Sequence, residues 1–172
     1  MTTKDLPYLP EYFDRYINLV NKEKDLISIF EETKLDFENH RNWLENHSDF
    51  RYQPEKWTPR DILQHLIDNE RIQSYRALVF SRNDHAVLPG YDENLYADNT
   101  SANMRSITDL LEEFTYVRNS TIKLFSSFSK DQLLKEGICF ELKITVLALG
   151  FQIVGHQIHH LKVLQERYMT NL

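Results

Sequence analysis

The segment from Thr58 to about Ser81 limits the possible folds most strongly, because it carries a complete start signal for a long helix. Thr58 can cap a helix, Pro59 suits the first helical position, and Asp61 lies near the positive end of the helix dipole. Only four glycines and five prolines occur among the 172 residues, and this scarcity disfavours a many-turned β-sandwich. The chain is therefore expected to fold mainly into long helices.

Three further segments show helical periodicity or helix start signals. They cover residues 25–47, about 106–128 and about 145–169, and Thr145 can cap the last of them. Four long helices in a chain of this length predict one all-α domain over residues 1–172, a four-helix bundle with long connections.

The connections between these helices carry weaker signals. Residues 83–100 contain a Pro89-Gly90 turn and are expected to hold a brief helix after Asp92. Residues 137–143 are expected to be irregular or weakly extended. Because the connections are long, the order in which the helices pack is left open.

Charge and composition argue against several classes of function. The formal net charge is −6, and the basic residues mix with acids instead of forming the stripe typical of nucleic-acid binders. The same acidic balance disfavours binding to an anionic membrane surface. No apolar run is long enough to span a bilayer, and the single cysteine, Cys139, cannot form an internal disulfide. We therefore expect a cytoplasmic protein without a nucleic-acid or membrane partner.

Three histidines fall on helical faces that must meet the core. His156 and His160 are four residues apart on the last predicted helix, so they stand one turn above the other on an apolar face. His65 lies on an inward face of the helix that begins after Thr58. Three imidazoles from two helices can hold one metal ion and leave a coordination position open, as in catalytic zinc sites. Imidazole suits several metals, so the ligand set does not choose among them.

The spacing alone leaves a second interpretation open. Two histidines four residues apart on a helix are common by chance, and a buried histidine is more often hydrogen-bonded than bound to metal. An unpaired polar group in the core costs roughly 1–3 kcal/mol, so a metal ion or hydrogen bonds must satisfy these rings. His159 is rotated by about 100° from His160 and is expected to face another helix.

Several stretches, in this order and spacing, resemble the DinB superfamily, and most of all its YfiT-like branch. The stretch Lys56–Arg71 is similar to the second helix of that family. The resemblance covers nearly the whole chain from about Tyr8 onward. The other similar stretches are residues 75–77, 88–94, 155–161 and 166–168.

This resemblance implies a four-helix bundle with a three-histidine metal site whose ligands fall on His65, His156 and His160. It implies a divalent metal ion (zinc, nickel or iron) and a homodimer, because members of the family are often dimers. Some relatives transfer thiol cofactors such as bacillithiol or mycothiol onto electrophiles, and the YfiT-like branch is described as metal-dependent hydrolases. The implied partner is a small-molecule substrate, with a low-molecular-weight thiol as one candidate.

Two acidic residues share the helix of His65. Asp68 lies three residues further on, where it could orient a group beside the metal or act as a catalytic general base. It could equally be an ordinary solvated acid. Glu70 is rotated by about 140° from His65 and is expected to pair with a group at a helix boundary or in a loop.

Arg76 lies on the same stripe as His65 and has two possible roles. It could bind an anionic group of a substrate through two hydrogen bonds. It could also hold down the loop 83–100 through Asp92 or Glu93, and we favour this structural role. Trp57, Tyr91 and Tyr96 could line the mouth of a pocket, although aromatic residues at helix entries usually serve packing.

Two functions from different classes follow from these features. The first is a metal-dependent enzyme on a small molecule, either a hydrolase or a thiol transferase, because a metal can convert water or a thiol into an anion at neutral pH. The second is a non-catalytic bundle in which a metal ion or a hydrogen-bonded histidine cluster only stabilises the core. An open coordination position beside a cavity would favour the enzyme.

Overall fold

A computed structural model describes residues 1–83 and 85–170 of the protein. None of the helices within these residues combines the length and the apolar character that a membrane span requires. The predicted domain, 1–172, includes residues 84, 171 and 172, which lie outside the described residues. The described part forms the α-helices α1 (Asp14–Ile17), α2 (Leu26–Thr33), α3 (Arg41–Asn46), α4 (Pro59–Arg82), α5 (Glu93–Asp98), α6 (Ile107–Ser126), α7 (Lys130–Leu134) and α8 (Val146–Val163).

The start signals of the long helices are confirmed by side-chain caps. Thr58 and Asp61 form a reciprocal capping box, with the Asp61 N–H donating to Thr58 Oγ1 at 3.1 Å and the Thr58 N–H donating to Asp61 at 2.9 Å. Ser106 caps α6 by accepting a hydrogen bond from the Asp109 N–H, and Thr145 caps α8 by accepting one from the Ala148 N–H. A wider π-type turn, Leu164–Met169, then continues α8 to the predicted end.

The helical periodicity over residues 25–47 is interrupted in the structure. The chain leaves α2 after Thr33 and returns to an α-helix at Arg41. The carbonyl of Thr33 accepts hydrogen bonds from the Asp36 N–H at 3.2 Å and from Gln157 Nε2 at 2.6 Å. Because these donors occupy that carbonyl, a tight turn replaces the next turn of the α-helix.

The fold is mostly helical, but the prediction of an all-α domain is wrong in one region. Strand β1 (Val87–Leu88) pairs in parallel with β2 (Glu136–Cys139), which pairs antiparallel with β3 (Leu142–Thr145). Phe140 and Glu141 connect β2 to β3 with φ angles of 53° and 62°. Left-handed turn residues are usually glycine or asparagine. The turn of this hairpin has neither, so the sequence pattern predicts an irregular or weakly extended segment and not a paired hairpin.

Helix α8 lies at the centre of the fold. Every residue from Val146 to Gln157 is buried, and α4, α6 and α1 contact this helix or each other around it. Gly155 lets the backbones of α1 and α8 approach each other closely, because a Cβ atom at this position would lie 2.0 Å from the backbone oxygen of Tyr16 in α1. The absence of a side chain at Gly155 therefore places α1 directly beside His156.

The buried apolar residues form two clusters with a polar layer between them. One cluster contains Leu66 and Ile67 near the start of α4, and the other contains Ala77 and Phe80 near its end. Helices α6 and α8 likewise contribute apolar residues to both clusters, at different points along their length. The middle turns of all three helices carry buried polar residues, which we call the polar layer: Asn69, Glu70, Gln73, Arg76, Arg118, Thr121, His156 and Gln157.

Candidate metal centre

The three predicted histidine ligands converge in the structure. Helix α4 supplies His65, and α8 supplies His156 and His160 from adjacent turns. The Nε2 atom of His156 lies 3.1 Å from the Nε2 atoms of both other rings. All three candidate ligand atoms lie within 4.8 Å of one another. We call these three residues the histidine cluster.

Aromatic side chains hold the rings of this cluster in place. Trp57, which precedes α4, packs against His65 with 4.7 Å between ring centroids and stacks with His160 at 6.2 Å. Tyr16 of α1 places its ring edge-on to His156 at 5.1 Å and to His159 at 5.5 Å. The prediction that His159 faces another helix is thus confirmed, because this ring contacts α1.

Hydrogen bonds among the three rings cannot satisfy both contacts of His156. A neutral imidazole Nε2 carries either a proton or a lone pair. The His156 atom can therefore make only one well-directed hydrogen bond, either with His65 or with His160. The second contact at 3.1 Å has to share the same proton or lone pair, so it is a poorly directed hydrogen bond at best. The interpretation of a fully hydrogen-bonded histidine core therefore fits this geometry poorly.

Three ring nitrogens this close together fit the ligand set of a divalent metal ion. Imidazole nitrogen binds zinc at roughly 2.0–2.1 Å, which separates two ligands by about 3.3 Å in tetrahedral geometry. The two separations of 3.1 Å from His156 are close to this value. A ligand set of histidines alone suits zinc, nickel and iron, so the geometry leaves the identity of the metal open.

Burial keeps the rings in the neutral form that metal coordination requires. It lowers the pKa of His65 to about 4. Burial also lowers the pKa of His156 and of His160 well below the usual value, and the neighbouring histidines lower both further. The cluster is therefore uncharged at neutral pH and costs no proton release when a metal binds.

A cavity of about 580 Å³ opens beside His156. Tyr16 of α1, Asn69 of α4 and Tyr91 of the following loop form part of its wall. Asn69 Nδ2 donates a hydrogen bond of 2.7 Å to the Tyr91 hydroxyl, and burial raises the pKa of Tyr91 to about 12. One face of the histidine cluster is thus accessible from a cavity large enough for a small molecule.

Asp68 is not brought into the histidine cluster. Its carboxylate accepts a hydrogen bond of 3.0 Å from Gln64 Nε2, and burial raises its pKa. It lines a separate cavity with Arg71 and Tyr96. The catalytic role of Asp68 stays a prediction.

The expected partner of Glu70 is wrong. Glu70 pairs with Arg118 in the middle of α6, where Arg118 Nε donates to Glu70 Oε1 and Arg118 Nη2 to Glu70 Oε2, both at 2.9 Å. Both side chains are buried. The rotation of about 140° from His65 directs Glu70 toward a third helix and not toward a helix boundary.

Arg76 contacts the loop after α4, but not through the predicted acids. Its Nη2 donates a hydrogen bond of 2.8 Å to the carbonyl of Pro89. Asp92 instead caps α5 by accepting from the N–H groups of Asn94 and Leu95. The structural role expected for Arg76 is therefore confirmed in kind, with a backbone carbonyl as the partner.

Two polar residues of the cavity, Gln73 and Gln152, were missed by the sequence analysis. Gln73 lies eight residues after His65, and Gln152 lies four residues before His156. Both are buried. An amide at helical spacing from a candidate ligand, on an otherwise apolar face, is the signal that could have found them.

Comparisons with known proteins agree with this architecture. A family model described as the DinB superfamily matches residues 38–164. The solved structure of YfiT from Bacillus subtilis, described as a probable metal-dependent hydrolase with an unusual four-helix bundle topology, matches with a TM-score of 0.77. The two sequences are 17% identical over 88% of this chain and 89% of that chain. A search of curated proteins found no significant match.

Proposed function

The chain belongs to the DinB superfamily, and from this premise we propose that it is a metal-dependent enzyme acting on a small molecule. The observation that carries the proposal is the convergence of three Nε2 atoms beside a cavity, in a geometry that hydrogen bonds among the rings satisfy only poorly. His65, His156 and His160 would hold the metal. The description of YfiT as a probable metal-dependent hydrolase supports the same class of activity.

When bound, a divalent metal with an open coordination position supplies a Lewis acid and lowers the pKa of a water or thiol ligand. His156 faces the cavity of about 580 Å³. On the other side Trp57 packs on His65 and His160, and the cavity that His160 lines there is smaller, about 240 Å³. A substrate would therefore approach on the His156 side, where there is more room.

Tyr91 is the residue best placed to donate a proton or hydrogen bond to a substrate in the cavity. Its hydroxyl oxygen accepts from Asn69 Nδ2, so its own proton is free to point toward a substrate oxygen. A pKa of about 12 keeps that proton on the hydroxyl at neutral pH. Asn69 in turn fixes the direction of the hydroxyl.

Hydrolysis and thiol transfer use the same histidine cluster. The resemblance to thiol-transferring relatives makes a low-molecular-weight thiol the preferred nucleophile, and the YfiT-like branch makes water the alternative. The non-catalytic bundle remains the rival function. The cavity beside His156 favours the enzyme, because a purely structural site needs no access from solvent.

Metal content and turnover test this proposal together. Protein purified without an affinity tag and without added metal is analysed for metal per chain. It is then assayed with a panel of thiols and electrophiles and with a panel of esters and amides. His65→Ala and His156→Ala remove candidate ligands, and His159→Ala is the matched control on the same helix.

We expect about one divalent metal per chain in the natural protein and in His159→Ala, with a large loss in the other two variants. Turnover should follow metal content. Folded His65→Ala and His156→Ala proteins with full metal content would refute the assignment. Metal binding without turnover in either panel would favour the non-catalytic bundle, and turnover of esters or amides alone would make the protein a hydrolase.

A further inference from the structure

Arg76 is a buried charge whose hydrogen-bond partners are all neutral. Its side chain lies in the polar layer and only 4% of the residue is exposed. Arg76 Nη1 donates to Gln73 Oε1 at 3.2 Å, and Nη2 donates to the Pro89 carbonyl at 2.8 Å. A guanidinium has five N–H donors. Within residues 1–83 and 85–170, the remaining three have no acceptor.

Arg118, the other buried arginine of the polar layer, shows what a fully paired guanidinium looks like in this fold. It is 0% exposed, and its charge is neutralised by two hydrogen bonds to the Glu70 carboxylate. Burying a charge without an opposite charge is costly. Among the described residues, both hydrogen-bond partners of Arg76 are neutral groups and not carboxylates. The fold thus leaves one buried positive charge available.

This charge faces the cavity that also contains His156. Arg76 and Gln73 line it on the α4 side, and Gln152 lines it on the α8 side. The Oε1 atom of Gln152 is buried and has no hydrogen-bond partner in the described part of the chain. Two polar side chains of one cavity wall are therefore incompletely satisfied by the protein, which is typical of a ligand site.

Two acids near the mouth of the cavity do not neutralise Arg76. Asp92 is occupied by the N–H groups at the start of α5. Glu93 is exposed and lines the cavity. A partial attraction comes from the Tyr91 ring, whose centroid lies 5.8 Å from the Arg76 guanidinium carbon. The face of Arg76 toward the cavity interior remains open to an anion.

We infer that the cavity takes a small substrate with an anionic group, a carboxylate or a phosphate, which Arg76 binds while an N–H or O–H of the same molecule donates a hydrogen bond to Gln152 Oε1. The reacting part of the substrate would then lie toward His156. This inference rests on the proposed function for the position of the reaction, but the binding of the anion does not require a metal.

A purely structural role for Arg76 would use less of the side chain. The contact with Pro89 uses one of the five N–H donors of Arg76, and its acceptor is a neutral carbonyl. A planar guanidinium offers paired donors that match the two oxygens of a carboxylate or phosphate. The unused donors of Arg76 and the unpaired Oε1 of Gln152 lie in one cavity, and an anionic ligand that also carries an N–H or O–H donor accounts for both.

The test compares matched charged and neutral probes by NMR titration of the isotope-labelled full chain, which detects weak binding. The probes are N-acetylglycine, its neutral counterpart N-acetylglycinamide, and methyl phosphate. Each is titrated with zinc and with a chelator. The variants are Arg76→Gln, Arg76→Lys and Gln152→Leu, and Arg82→Gln is the matched control, an exposed arginine on the same helix.

We expect N-acetylglycine or methyl phosphate to bind the natural protein at least about tenfold more tightly than N-acetylglycinamide, since charge-assisted hydrogen bonds are stronger than neutral ones. Arg76→Gln should abolish this preference, Arg76→Lys should keep part of it, and Arg82→Gln should keep all of it. Gln152→Leu should weaken both acetylglycine probes while keeping the preference for charge. The phosphate and the carboxylate probe separate the two sources of the anion.

An equal preference in Arg76→Gln and the natural protein would overturn the inference, as would a natural protein without any preference for charge. If Arg76→Gln does not fold, a full preference in folded Arg76→Lys, at the affinity of the natural protein, overturns it instead. His65→Ala separates the two proposals. Loss of metal and turnover with an intact preference for anions leaves this inference standing, whereas metal binding and turnover without that preference leave only the proposed function.

Discussion

Helices α4 and α8 both contribute to two buried polar clusters. The first is the histidine cluster, with His65 on α4 and His156 on α8. The second, which we call the arginine cluster, joins Glu70 of α4 and Gln157 of α8 to Arg118 of α6. The two differ in how completely the protein satisfies them.

The arginine cluster is complete without any other molecule. Besides its two bonds to Glu70, Arg118 Nη2 donates to Gln157 Oε1 at 2.6 Å and Nη1 donates to Thr33 Oγ1 at 3.1 Å. Gln157 Nε2 donates in turn to the Thr33 carbonyl. The histidine cluster has no such closure, because His156 Nε2 meets two rings and can bond well to only one. Closed pairing indicates a structural element, and incomplete pairing beside a cavity indicates a ligand site.

Breaking the arginine cluster should have the largest effect. Glu70→Ala leaves the Arg118 charge buried and unpaired, so we expect the free energy of unfolding to fall by about 3–5 kcal/mol. Urea denaturation measures it. The exposed Lys123→Ala on the same helix as Arg118 is the control and should change stability by less than about 0.5 kcal/mol. A loss below about 1 kcal/mol in Glu70→Ala would contradict the structural role.

The histidine cluster should make the metal-free protein sensitive to mild acid. Burial lowers the pKa of His65 from 6.5 to about 4. Between these two values the unfolded chain binds a proton that the folded chain does not, so stability falls as the pH drops from about 6.5 to about 4. For His65 alone the loss approaches roughly 3 kcal/mol. Urea denaturation with a chelator, at several pH values, should show this slope, and His65→Asn should reduce it. A flat profile would show that the rings are not held neutral.

Metal should stabilise through the histidine cluster alone. At a free zinc concentration of 100 times the dissociation constant, mass action adds about 2.7 kcal/mol to the stability. The natural protein and a folded variant of the arginine cluster should both gain, since those residues do not touch the metal. His156→Ala should gain nothing. A thermal shift of equal size in His156→Ala would place the metal elsewhere.

The smallest effect is expected at Gly155, the residue before His156 on α8. Gly155→Ala adds a Cβ atom 2.0 Å from the Tyr16 oxygen of α1, which should cost about 1–3 kcal/mol. Because α1 carries the ring that packs on His156, zinc affinity should fall as well. Gly150→Ala is a matched control, since its Cβ would meet the side chains of Leu26 and Phe125 and not a backbone. Equal zinc affinity in the two variants would show that α1 does not support the cluster.

The hairpin and Asp68 show where prediction from the sequence stopped. The starts of α4 and α8 were predicted because a cap, a first-turn acid or a proline acts within a few residues, and the start of α6 was predicted from its helical periodicity. The β2–β3 hairpin was missed, since Phe140 and Glu141 adopt left-handed angles that neither residue type favours. Asp68 was placed correctly on its helix, but its side chain points into another cavity.

The sequence by itself determined the long helices and the alignment of His156 with His160, because both depend on the fixed rise and rotation of one helix. It also placed His65 on an inward face. Only the tertiary structure decided that His65 meets the other two rings, that Glu70 pairs with Arg118 and that Arg76 remains without a carboxylate. These outcomes depend on how helices far apart in the chain are rotated and spaced against each other, which the packing of two apolar clusters and the bare backbone at Gly155 determine.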